Sequence, residues 1–162
     1  MNTFQKKISA TLLDSEQQIR SAERFVNVLY PQLEDSRILL RALEQLWKAE
    51  VMLISTTLQL EYVKKRVRIS LDPLRNRTLF FKVCVKRYNL SSLHKQVLQH
   101  LLLVGENYTK SGCTFPQRGK AIILNDDGTL NEITSKTVLD GISSVRALLK
   151  NLEIGFLETR KL

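Results

Sequence analysis

From Ile8 the apolar positions step by four and three through Leu12, Ser15, Ile19, Ala22, Val26 and Leu29, with Ser15 the one polar interruption. This period is that of one face of a helix, and it predicts an amphipathic helix from Thr3 to Tyr30 that Pro31 stops. After a short link through Ser36 the same stepping runs Ile38, Ala42, Leu46, Ala49, Leu53, Thr56, Leu60, Val63 and Val67, with Asp35 or Ser36 placed to cap it. A helix of that length measures about 50 Å, more than a domain of this size spans, so its far end is expected to project or to pack on another chain. The short link makes the first 70 residues a long antiparallel helical hairpin.

Asp72-Pro73 starts a third helix, in which Leu74, Thr78, Phe81, Val85 and Tyr88 form the apolar stripe; the β-forming run TLFFKVCV offers a strand as the alternative. Asn89-Leu90-Ser91-Ser92 launches a fourth helix with core positions Leu93, Val97, Leu101, Val104 and Tyr108, widened by Leu98, Leu102 and Leu103, which marks it as the most central. Ser111-Gly112 ends it. An Asp127-Gly128 turn between two short apolar runs predicts a β-hairpin over 120–133. Thr134 or Ser135 then caps a last helix with the stripe Val138, Ile142, Val145, Leu149, Leu152 and Phe156. The expected fold is a single all-α domain over 1–162, a five-helix bundle with the hairpin 1–70, the remaining helices within 73–160 and a small β-hairpin before the last helix.

The 162 residues and 43% hydrophobic content suffice for a core without disulfide or metal. Cys84 and Cys113 stand far apart with no zinc spacing, and the chain shows neither a secretory leader nor a membrane-spanning run, which places it in the cytoplasm. No cofactor fingerprint or metal set is present: Gly-x-Ser-x-Gly, P-loop and dinucleotide patterns are absent, and His94 and His100 lie about 240° apart around their helix.

The net charge of +9 is concentrated. Residues 61–87 hold nine Lys and Arg against Glu61 and Asp72. Arg75, Lys82 and Lys86 fall within about 40° on an uninterrupted helix, and Lys64 and Arg68, four apart, form a second ridge across the Asp72-Pro73 turn. Lys64, Arg68, Arg75, Lys82, Lys86 and Arg87 are thus the candidate contacts for RNA or another polyanion, in a non-catalytic binding module. Phe80, set between the apolar and basic sides, is the first aromatic to test for base stacking. The competing readings are solvated charge that complements helix ends, and contact with an acidic protein or an anionic membrane. Glu50, among Leu46, Ala49 and Leu53, is expected at the edge of the helical seam. Asp126 and Asp127 are expected to serve their turn.

Arg87 and His94, with six residues between them across the turn between the third and fourth helices, give the chain its one catalytic candidate. With the helical frame this spacing resembles the HEPN superfamily, whose ribonuclease members carry Arg-x4-6-His. That resemblance implies metal-independent RNA cleavage, with His94 in acid–base catalysis and Arg87 stabilising the charged phosphate. Tyr88 stands where the catalytic members usually place a polar residue. The Arg87-Tyr88-Asn89-Leu90 turn is also similar to the KYNL-type turn of small archaeal proteins without an assigned activity. A third reading is a structural module that meets a second copy or a helical partner through the projecting end of the first two helices.

Overall fold

The computed structural model describes residues 2–161 and folds them into five helices and a small antiparallel sheet, the all-α bundle expected. Helix α1 covers 3–33, α2 Arg37–Val63, α3 73–87, α4 Ser92–Ser111 and α5 Ser135–Arg160. Strands β1 (Thr114–Gln117), β2 (Lys120–Leu124) and β3 (Leu130–Ile133) lie between α4 and α5. The central element is α2 and not α4: it touches all four other helices and β2, and Leu39, Ala42, Leu46, Ala49, Leu53 and Leu60 along it are wholly enclosed. On α4, Leu93 and Leu103 are exposed instead of buried.

Helix α2 is shorter than its pattern, and it does not project. Its 27 residues measure about 40 Å. Lys65 takes the left-handed conformation at φ 58°, its N–H donates to the Tyr62 carbonyl at 2.9 Å, and the Arg66 N–H donates to the Glu61 carbonyl at 2.9 Å. That pair of bonds is a Schellman ending, built on lysine where glycine is usual. The last turns are covered, with Thr57, Leu58, Leu60 and Glu61 all buried. Val67 and Arg68 therefore lie beyond the helix, and the projecting end expected to meet a partner does not exist.

Pro31 does not stop α1. A wide π turn over Phe25–Leu29, in which the Tyr30 N–H reaches back to the Phe25 carbonyl, opens the backbone where the proline ring would otherwise meet the preceding turn. The helix ends two residues later, at Leu33, and Glu34 takes the left-handed conformation (φ 52°). A second π turn, Phe80–Cys84, interrupts α3. Such a turn holds one extra residue and rotates the succeeding part of the helix by about 100° relative to regular stepping. Leu74 and Thr78, expected in the core, are consequently exposed, while Phe80, Phe81, Cys84, Val85 and Tyr88 are buried. Helix, not strand, is the conformation of this segment.

The hairpin over 120–133 is present and carries a third strand. β1 pairs antiparallel with β2 from Thr114 opposite Ile123 to Gln117 opposite Lys120, around a turn at Gly119 (φ 78°). Pro116 is tolerated because β1 is an edge strand. The β2–β3 turn closes through the Asn125 N–H to the Thr129 carbonyl at 2.9 Å, and the Asp127 carboxylate accepts from the Thr129 N–H. Ala121, Ile123 and Ile133 are buried against the bundle, which supplies the support that so small a sheet needs. Thr134 and Thr137 cap α5 reciprocally, and all six residues of its predicted stripe are buried.

Candidate functional site

Glu61 organises the end of the bundle where the basic segment begins. Its stepping of three, four and seven from Leu58, Thr57 and Ile54 puts it on the buried face of α2, and it is 1% exposed. One carboxylate oxygen accepts from the Arg87 guanidinium at 2.7 Å; the other accepts from the Tyr88 hydroxyl at 2.9 Å and lies 3.7 Å from the Arg66 guanidinium. Tyr88 reaches it because Gly155 of α5 leaves room: a Cβ there would stand 3.0 Å from the tyrosine ring. Burial, and then the Glu61 charge, push the Tyr88 hydroxyl far above its ordinary ionisation, so it acts as a neutral donor.

Above this hub lies an open cleft of about 170 Å³, rimmed by Lys64, Arg66, Arg87, Asn89, Asn151 and Glu158. The Lys64 ammonium sits 3.5 Å from the Gly155 carbonyl, and the Asn151 amide donates to the Tyr88 carbonyl at 2.7 Å, which ties α5 to the α3–α4 turn. Asn89, at φ 53°, ends α3 with a second Schellman arrangement: Asn89 N–H to Lys86 carbonyl, Leu90 N–H to Val85 carbonyl. Arg66 and Arg87 remain half-exposed, so guanidinium N–H groups not used by Glu61 are free to meet a small oxyanion. Three cations stand here against two carboxylates, a modest local excess.

The six expected contact residues divide. Arg75 faces Asp72 at 3.9 Å and Arg87 is held by Glu61. Arg77, another cation of the segment, is paired with Glu106 of α4. Arg68, Lys82 and Lys86, together with Lys65, are exposed and make no ion pair among the described residues. Neither expected ridge exists as a helical row: Lys64 and Arg68 lie past the end of α2, and the π turn in α3 separates the phase of Arg75 from that of Lys86. Phe80 is fully buried and cannot stack on a base. Arg66 had no sequence signal beyond its charge; only the Schellman turn brings it over Glu61.

Arg87 and His94 are turned to different partners. The His94 Nδ1 lies 2.9 Å from the Ser144 hydroxyl of α5, and the cleft that Arg87 lines does not include His94. Ser144 is itself buried, so this serine–histidine contact offers no accessible nucleophile. The Cys84 thiol is buried, and burial followed by the Glu61 charge push it up to about 11, which keeps it protonated at neutral pH. Among the described residues no group of His, Cys, Asp and Glu side chains is arranged to hold a metal ion. Among the described residues no helix is long and apolar enough to cross a membrane.

Glu50 lies wholly inside the bundle and not at the seam's edge, and neither carboxyl oxygen has a hydrogen-bond partner. Burial drives its pKa well above 4.5; Arg77 opposes the shift and Glu106 adds to it. The folded state thus favours the protonated Glu50 carboxyl to higher pH than the unfolded chain does. Its contribution to stability is fully present below about pH 4.5 and is lost as pH rises toward the raised folded value. Glu50→Met is expected to remove that pH dependence and to stabilise the fold by about 1–3 kcal/mol at neutral pH, read from urea midpoints of both proteins across pH 4–9. Parallel pH profiles would contradict it.

No protein-family model matches the chain, and comparison with curated proteins and with solved structures gives no match.

Proposed function

We propose that this protein is a non-catalytic binding module that docks RNA or another polyanion on the surface of residues 64–87, with the cleft over Glu61 receiving one anionic group. The observation that carries this reading is the unequal neutralisation of the segment. Internal carboxylates take up Arg66, Arg75, Arg77 and Arg87, while Lys65, Arg68, Lys82 and Lys86 stay exposed with no acid partner. Charge left uncompensated in one short segment raises the local potential and attracts polyphosphate without reading sequence. The cleft adds fixed guanidinium donors held by a buried acid, an arrangement that costs little reorganisation when an oxyanion arrives.

The test compares two variants of equal charge. Lys65→Gln/Arg68→Gln/Lys82→Gln/Lys86→Gln removes the exposed cations of the segment that have no acid partner; Lys6→Gln/Lys7→Gln/Arg41→Gln/Lys150→Gln removes four exposed cations elsewhere. Fluorescence anisotropy with a single-stranded RNA of about 20 nucleotides is expected to show at least tenfold weaker binding for the first variant and a change below about threefold for the second. Equal losses in both would assign the attraction to net charge and remove the site.

A further inference from the structure

We infer that the polyanion met by this surface is an anionic lipid bilayer, and that the loop between α2 and α3 places its apolar tip among the headgroups. This rests on the polyanion reading above and narrows it to one class of partner. Around the loop, Tyr62, Val63, Ile69, Leu71 and Leu74 are all exposed, and Leu71 is as open to solvent as in an extended chain, at 104%. They alternate with Lys64, Lys65, Arg68 and Arg75. A single exposed leucine is ordinary; five large apolar side chains interleaved with cations in fourteen residues are the composition of a membrane-surface segment.

The tip is held out by its hydrogen bonds. The Asn76 side chain accepts from the Ser70 N–H at 2.8 Å and donates to the Ser70 carbonyl at 2.8 Å. The Ser70 hydroxyl accepts from the Asp72 N–H at 3.0 Å, and the Asp72 carboxylate caps α3 at the Leu74 N–H, also at 3.0 Å. Leu71 is thereby fixed between two pinned residues, away from the core, and its ordering is complete before any partner arrives. RNA would engage the cations and the Tyr62 ring but would leave Val63, Ile69, Leu71 and Leu74 in water, and Phe80 and Phe81 are buried. A bilayer satisfies both sets at once: lipid phosphates and carboxylates meet the cations, the interface takes Tyr62, and the acyl boundary takes Leu71 and Leu74. The association proposed is one of the membrane surface, through this loop.

Co-flotation with vesicles of 70% phosphatidylcholine and 30% phosphatidylserine, against pure phosphatidylcholine, tests this at about 0.1 M salt, with RNA anisotropy measured on the same proteins. Wild type is expected to float with the anionic vesicles only. Leu71→Ser/Leu74→Ser, whose side chains leave no core contact, is expected to lower vesicle partition at least tenfold and to leave RNA affinity within twofold, while Lys65→Gln/Arg68→Gln lowers both. Vesicle binding that ignores the leucine variant overturns the inference. RNA binding without vesicle binding also overturns it and leaves the polyanion reading standing; failure to bind either polyanion removes both.

Discussion

Replacing Glu61 with leucine is expected to destabilise the fold by about 3 kcal/mol, although leucine fills nearly the same space on a buried helix face. The loss has two sources. The Tyr88 hydroxyl, now 2.9 Å from a carboxylate oxygen, would be left buried without an acceptor, which costs about 1–3 kcal/mol. Arg87 would lose the 2.7 Å partner that fixes it, but at 38% side-chain exposure it can recover part of that loss from water, so its share is the smaller one. Tyr88→Phe alone is expected to cost about 1 kcal/mol, because the acid keeps Arg87. In the double variant the orphaned hydroxyl disappears, so Glu61→Leu/Tyr88→Phe should lose less than the sum of the two single changes. Urea unfolding of all four proteins measures this coupling, and simple additivity would show that the hydroxyl and the carboxylate act independently.

Gly105→Ala is expected to be as damaging, against the helix propensity scale. Alanine in a helix interior should gain about 1 kcal/mol over glycine. At this position an added Cβ would stand 2.3 Å from Trp47 Cδ1, 2.4 Å from Cγ and 2.8 Å from Cβ. The clash reaches the tryptophan's own Cβ, so rotating the ring cannot relieve it and α2 must move away from α4. A net loss of about 2–4 kcal/mol results, equivalent to a fall of roughly 5–15 °C in Tm. The sign should reverse when the indole is gone: Gly105→Ala/Trp47→Ala is expected to be no less stable than Trp47→Ala alone. Thermal unfolding of the three variants decides this, and a Gly105→Ala protein as stable as wild type would show that α2 and α4 separate at little cost.

The helical frame was legible because its signals are local. The stripe from Val138 to Phe156 is buried at every expected position, and Asp72, Ser91 and Thr134 cap the helices they precede. The helix ends were harder to read. Glu34, Lys65 and Asn89 adopt the left-handed conformation in which glycine is the usual marker, and only Gly112 closes a helix in the ordinary way. With Lys65 in disguise, the apolar stepping ran on to Val67 and the ridge of Lys64 and Arg68 came with it. The two π turns leave no trace in composition, yet one carries α1 through Pro31 and the other sets the phase of Phe80 and of Lys86.

The site was legible as charge and not as geometry. Nine cations in residues 61–87 mark the segment, but the acids that neutralise some of them are Glu61 and Asp72 within it and Glu106, far along the chain. A clue to the hub was nevertheless present: Glu61 follows Leu58 by three, Thr57 by four and Ile54 by seven, beside the predicted stripe of α2, as Glu50 follows Leu46 by four about three turns earlier. A carboxyl in such a position either stays without a partner and has its pKa raised, as at Glu50, or is paired, as Glu61 is, and only the arrival of Arg87, Tyr88 and Arg66 distinguishes the two.

The salt dependence of RNA binding tests the anion-docking surface most directly. With about four phosphates engaged, log K should fall against log salt with a slope near −3, about 60-fold between 50 and 200 mM, and the slope should shrink to about −1 or less once Lys65, Arg68, Lys82 and Lys86 are replaced by glutamine. A slope near zero, or the same slope in both proteins, would contradict it.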